Sequence, residues 1–185
     1  MSSYDQDIRT FLNSENLEKY QIIYADPPWK FYDRTPQKVL SSSTQYSTMD
    51  VNDLTSLPIH KITGGSILFL WVPTSMMIEG IEVMESWGFN YKTKLYWVKL
   101  GKLGTGYYFR NQLEELWIGT QKGVKPFHLA IRNYIEKPSI KHSVKPLDFI
   151  GLIDKVAEKL NIKKKIELFA RTCNKGWDCV GLELE

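Results

Sequence analysis

A carboxylate followed by two prolines and an indole, Asp26-Pro27-Pro28-Trp29, ends the short apolar run Ile22-Ile23-Tyr24-Ala25. Prolines cannot continue a central strand, so the pattern predicts a strand that stops at Asp26. Each proline lacks an N–H and fixes its own φ, and a residue before proline is pushed toward extended geometry, so the turn holds its carbonyls outward in a nearly rigid frame. Asp26 adds a full acceptor and Trp29 a flat face. A planar ring bearing an NH2 group suits this set: carboxylate and carbonyl accept its two hydrogens while the indole stacks on the ring. The chemistry implied is methyl transfer to an amino group. Asp-Pro is also a good turn starter, so an ordinary surface turn would explain the same four residues.

The elements around this turn decide between the two. At 185 residues, 43% hydrophobic and 24% charged, the chain reads as a single domain, 1–185, with enough core for a complete α/β fold. The run Ile67 to Val72 is too short to cross a bilayer, and the N-terminus lacks a basic-then-apolar signal, so a cytoplasmic protein is expected, or a nuclear one in a eukaryote. Cys173 and Cys179 have no His/Cys cluster beside them and are expected to be reduced thiols, not metal ligands. The formal net charge is only +3, but Lys and Arg far outnumber Glu between Lys92 and Lys145. Interleaved with Trp97, Tyr107, Tyr108, Phe109, Phe127 and Tyr134, this surplus reads either as a solvated surface or as a surface for a phosphate backbone with bases stacked on aromatics.

In chain order, residues 7–12 fit either a helical turn or an irregular arm. The polar, aperiodic stretch 30–48 reads as a substrate lid. Asp50 is expected to cap a short helix reaching Leu57. Residues 66–72 form a run expected of a strand covered on both faces. Thr74 is expected to cap a helix with the stripe Met77, Ile78, Ile81, Met84 and Trp87, closed by Gly88. Strands are expected at 89–98, 115–120, 165–169 and 179–184, a loop of large aromatics at 101–111, and a second long basic loop at 124–142. Pro146 opens a helix with the stripe Phe149, Ile150, Ile153, Val156 and Leu160. Alternating strands and helices predict a mostly parallel central sheet with helices on both faces.

In such a sheet ligands bind outside the carboxyl ends of the strands, where Asp26 and the segment Glu167-Leu168-Phe169-Ala170-Arg171 fall. No Gly-x-Gly-x-x-Gly fingerprint is present. Asp26-Pro27-Pro28-Trp29, Tyr46-Ser47-Thr48-Met49, Leu68-Phe69-Leu70-Trp71-Val72, Trp97-Val98-Lys99, His142-Ser143-Val144-Lys145-Pro146, Glu167-Leu168-Phe169-Ala170-Arg171, Gly176-Trp177 and Gly181 resemble, in order and spacing, the DPPW-type adenine-N6 methyltransferases. That family includes the catalytic subunit of the mRNA N6-adenosine methyltransferase and compact bacterial and phage DNA methyltransferases. The resemblance runs from about Asp7 to the C-terminus.

It implies a Rossmann-like methyltransferase fold in permuted order, with the catalytic motif before the cofactor motif, and S-adenosyl-L-methionine as cofactor. Asp26, Pro27, Pro28 and Trp29 would be catalytic. Asp26 would also lie near the methionine amino group and Lys145 near its carboxylate. Glu167, Phe169, Arg171 and Asn174 would surround the ribose; Asp7 and Ile8 would contact the cofactor adenine, with Leu182 and Glu183 on the far side. Tyr46, Arg110 and Asn111 are expected to face the substrate, and Lys122, Lys125 and Arg132 to lie on phosphates. Nucleic acid is the expected partner, DNA ahead of RNA because no accessory RNA-binding module is visible. A homodimer is compatible with the chain, and neither membrane nor metal is called for. The alternatives are an RNA methyltransferase, cytosine-N4 methylation, and a catalytically silent subunit that holds nucleic acid.

Overall fold

A computed structural model describes residues 3–31, 48–101, 103–104, 108–139 and 144–181. The expected lid at 30–48 and the residues Tyr46, Leu182 and Glu183 therefore lie wholly or largely outside the described residues. Among the described residues seven strands form one sheet: β1 (Tyr20–Ala25), β2 (Thr63–Val72), β3 (Asn90–Leu100), β4 (Leu113–Thr120), β5 (Tyr134–Pro138), β6 (Lys165–Leu168) and β7 (Asp178–Val180). Their order across the sheet is β5-β3-β4-β2-β1-β6-β7. Every pairing is parallel except those of β4, which runs antiparallel to both β2 and β3. The sheet is thus mostly parallel, as expected. Its helices are α1 (Ser3–Leu12), α2 (Val51–Thr55), α3 (Met77–Ser86) and α4 (Leu147–Leu160), and no described helix is long and apolar enough to cross a membrane.

The continuous apolar strands are explained by cover on both faces. Successive strand residues point to opposite faces. Ile23, Ala25, Leu68, Leu70 and Val72 join Ile8 and Leu12 of α1, Leu54 of α2 and Val83 and Met84 of α3 in one core layer. Ile22, Tyr24, Ile67, Phe69 and Trp71 join Phe149, Ile150, Ile153 and Val156 of α4 in the other. The α4 stripe read from the sequence is the buried one.

Three local expectations are corrected, and the open choice at residues 7–12 is decided. Residues 124–142 are not all loop, because β5 pairs with the outer edge of β3; only Ile135 packs inward among its residues, so the strand left no apolar period to read. Thr74 does not cap α3, which begins after Met76 with no side-chain cap; its Oγ1 instead accepts a hydrogen bond from Asn111 Nδ2 at 2.6 Å. Residues 7–12 are helical. Cys173 and Cys179 are joined in a disulfide, because the turn between β6 and β7 brings their Cα atoms within 5.7 Å. Asp50 does cap α2, accepting from Asp53 N at 2.9 Å. Gly88, with φ 84°, follows α3 where a side chain would be strained.

Candidate active site

The period-2 alternation that buries Tyr24 and Leu168 on opposite faces also aims the charges. Continued past Tyr24, it turns Asp26 to the α4 face; Glu167, paired with Tyr24, and Glu114, two residues before the inward-facing Leu116, share that face. Lys145 stands just before α4, over the same edge. There its Nζ lies 2.6 Å from Asp26 Oδ2 and 3.4 Å from Glu114 Oε2. Lys99, near the end of β3, pairs with Glu114 from the other side. Two lysines and two carboxylates therefore alternate at the carboxyl end of the parallel strands. β1 sits there between β2 and β6, whose connections leave in opposite directions, the place where α/β sheets open a ligand crevice.

The charges tune one another. Burial works against the Lys145 ammonium, but Asp26 and Glu114 outweigh it and hold its pKa above the ordinary lysine value. Burial would likewise raise Glu114, yet Lys145 and Lys99 bring it below the usual carboxylate range. Glu167 is pushed the other way. Burial, opposed by a hydrogen bond from Asn174 Nδ2 at 3.2 Å and reinforced by the Asp26 charge, pushes it up to about 7.

The Asp-Pro-Pro-Trp turn is braced by its neighbours. Trp29 N donates to the Pro27 carbonyl at 2.9 Å, and Met49 N to the Pro28 carbonyl at 2.8 Å. Trp29 is only 6% exposed, and its Nε1 donates to the Trp71 carbonyl at 2.8 Å. The flat face expected to stack on a substrate ring is packed in the core, so Trp29 anchors the turn. Pro27 is buried and Pro28 partly so.

Other residues named from the sequence divide in the same way. Ile8 is fully buried in the core and offers a ligand no face, whereas Asp7 beside it is exposed. The Phe169 side chain is also core, but its backbone adopts a left-handed φ of 62°, which sharply turns the chain leaving β6. Arg171 and Asn174 follow on that turn, both partly exposed, and Gly181 closes it from β7. A Cβ on Gly181 would lie 1.9 Å from the Ala170 carbonyl oxygen.

On the substrate side, the loop between β3 and β4 lies at the same edge as Asp26. It carries Tyr108, 96% exposed, Phe109, 90% exposed, and the exposed Arg110. Asn111 is spent on structure: besides its bond to Thr74, its Oδ1 accepts from Leu113 N at 2.9 Å and its carbonyl from Gly104 N at 3.1 Å. Lys122 and Lys125 are exposed but at the wrong end. Because β4 is antiparallel, it carries the chain to the start of β2, where Gln121 N donates to Ser66 O at 3.0 Å; at the usual strand rise the far end of β4 is roughly 24 Å from the charged edge. Arg132 lies along the outer side of the sheet beside β5, its Nη1 donating to the Tyr134 hydroxyl at 3.2 Å. The three cations expected to form one phosphate surface are not gathered at the site.

Sequence reasoning missed Glu114, Lys99, Trp71 and Tyr24. Alternation outward from Leu116 and Ile118 is the signal that could have placed Glu114 over the α4 face; the others depend on which strands become neighbours.

Comparison with known proteins shows the family. A type II methyltransferase, M.MunI, of a Mycoplasma species is 36% identical over 188 residues, covering 90% of this chain and 78% of that protein. The human N(6)-adenosine-methyltransferase catalytic subunit METTL3 is 26% identical over 189 residues, covering 97% of this chain but only 30% of its own length. An N(6)-adenosine-methyltransferase MT-A70-like protein of Arabidopsis thaliana is 27% identical, with 96% and 25% covered. The chain thus spans less than a third of the adenosine methyltransferases cited and most of the type II enzyme. With the MT-A70 family model matching residues 20–183, all seven described strands and the complete charged edge, the chain belongs to the MT-A70 family.

Proposed function

We propose that this methyltransferase transfers a methyl group from S-adenosyl-L-methionine to the exocyclic N6 amine of adenine in nucleic acid, DNA in preference to RNA. The observation that carries the reading is the Asp26–Lys145 pair, 2.6 Å apart across 119 residues of sequence at the carboxyl edge of the sheet. The two charges neutralise one another. A ligand that separates them must replace both, bringing one positive and one negative group, as the amino-acid end of this cofactor does. Lys145 would hold its carboxylate and Asp26 its ammonium; Glu167 and Asn174, acceptor and amide side by side, suit ribose hydroxyls, with Arg171 on the same turn.

When bound, the cofactor supplies a methyl group on a positively charged sulfur. The amine of adenine is a poor nucleophile because its lone pair is conjugated into the ring. Asp26 and the Pro27 carbonyl, which keeps a second lone pair beyond the one used by Trp29 N, accept its two hydrogens and favour the tetrahedral nitrogen whose lone pair is free to attack. The turn is rigid before substrate arrives. Tyr108, Phe109 and Arg110 at the same edge suit an unpaired base and its backbone, and a base in a duplex would have to be flipped out to reach Asp26. DNA is preferred because the relative matched over most of both chains is a type II methyltransferase.

Mass spectrometry of nucleosides from DNA and RNA incubated with isotopically labelled cofactor tests the assignment. N6-methyladenine in DNA is expected, methylated RNA alone would reverse the preference, and N4-methylcytosine would change the acceptor. Asp26→Ala should abolish turnover while the fold survives; undiminished methylation by that variant would refute the site.

A further inference from the structure

Trp71, the penultimate residue of β2, contacts Lys145 on one side and, through Trp29, the turn that begins at Asp26 on the other. Its carbonyl accepts the Trp29 indole N–H at 2.8 Å and so anchors the turn that begins at Asp26. Its own ring lies against Lys145, whose Nζ is 5.0 Å from the ring centroid. The indole is fixed from two further sides. Its Nε1 donates to the Tyr24 hydroxyl at 2.7 Å, and its ring meets Phe149 of α4 edge-on, centroids 4.9 Å apart. Tyr24 stays a neutral hydroxyl, because burial and then the nearby Asp26 charge raise its pKa well above the ordinary value.

We propose that Trp71 is a positioning residue for Lys145, and so for recognition of the cofactor's carboxylate; the inference rests on the cofactor reading given above. Lys145 has two carboxylate neighbours. Once a ligand's ammonium takes over Asp26, Glu114, 3.4 Å away, would draw the flexible lysine toward β4. The indole face attracts the ammonium without offering an oxygen acceptor, and Lys99 already occupies Glu114. Lys145 therefore stays at the strand edge with its geometry settled in advance, and the ligand is spared the cost of ordering a long side chain. A tryptophan that merely filled the core would need its volume and an acceptor for its N–H, but not the cation on its face.

Binding titrations with two ligands separate positioning from packing: S-adenosylhomocysteine, which carries the amino-acid end, and 5′-methylthioadenosine, which lacks it. Lys145→Ala should weaken the first and spare the second; if it does not, the cofactor reading itself fails, and this inference with it. Given that result, Trp71→Leu should lose about two- to tenfold in affinity for S-adenosylhomocysteine, with 5′-methylthioadenosine unchanged. Trp71→Phe, which keeps a ring face, should restore most of the loss, and the double variant Trp71→Leu/Lys145→Ala should bind no worse than Lys145→Ala. Equal weakening of both ligands, or no weakening of either, would overturn the proposal. Should Trp71→Leu fail to fold, Tyr24→Phe decides, since it removes only the hydroxyl that fixes the indole: a selective loss supports positioning, and its absence refutes it.

Discussion

Glu167 should make cofactor affinity depend on pH near neutrality. Its carboxyl is pushed from the ordinary 4.5 up to about 7 by burial, against the Asn174 hydrogen bond and with the help of the Asp26 charge. Ribose hydroxyls donate best to an ionised carboxylate, so binding favours the form that the free protein holds back. With a pKa near 7, the ionised share falls from about nine-tenths at pH 8 to about one-tenth at pH 6, and affinity for S-adenosylhomocysteine should fall about tenfold over that interval. The fold responds in the opposite sense. Between 4.5 and about 7 the folded protein keeps a proton that the unfolded chain has lost, so the stability due to this group is complete below 4.5 and is lost as pH rises through 7. The loss amounts to about 2–3 kcal/mol after allowance for partial exposure. Calorimetric titration at pH 6, 7 and 8 on the native chain and on Glu167→Gln isolates this residue, because titration of the ligand's own groups cancels between the two. Parallel pH profiles would refute the reasoning.

Gly181→Ala should cost about 3–5 kcal/mol, read as a shift in denaturant midpoint, because the new Cβ would fall 1.9 Å from the Ala170 carbonyl oxygen and 2.7 Å from its nitrogen, both backbone atoms; an unshifted midpoint would show that the turn opens freely. Reducing Cys173–Cys179, whose sequence separation is 6, releases a short loop and should lower stability by about 2 kcal/mol, roughly 4–8 °C in thermal midpoint, with Cys173→Ser as the control that reductant leaves unmoved. Neutralising Lys122 and Lys125 together should leave the salt dependence of DNA binding unaltered, because both stand at the far edge of the sheet, whereas Arg110→Ala should flatten it by up to about 0.9 per lost contact. A flatter slope in the lysine pair would mean that DNA wraps over the far edge.

The strands and helices legible in the sequence are those whose burial repeats. β2 and α4 are covered along their length, and their apolar runs and stripes identify them directly. β5 was illegible because its place depends on an edge that β3 offers, through bonds such as Trp97 Nε1 to the Lys137 carbonyl at 2.9 Å, and not on its own side chains. The far-edge position of Lys122 and Lys125 was hidden for a related reason: charge composition carries no information about strand direction, and the antiparallel run of β4 reverses where its following loop falls.

The motif residues show a different limit. Asp26, Lys145, Glu167 and Asn174 meet at one edge, but Trp29, Ile8 and Phe169, also named from the sequence, spend their side chains inside the core. A motif records which residue types recur together and does not separate a group that touches ligand from one that aims such a group. Here the aiming follows from two physical constraints. Alternation along β1, β4 and β6 sends Asp26, Glu114 and Glu167 to the α4 face. Three carboxylates so close would repel one another without compensation, and the entry to α4 supplies Lys145 among them. Glu167 is pushed toward neutrality by its burial and by the Asp26 charge it borders, against the bond from the neutral Asn174 amide, and its oxygens can accept further bonds from a ligand's hydroxyl groups.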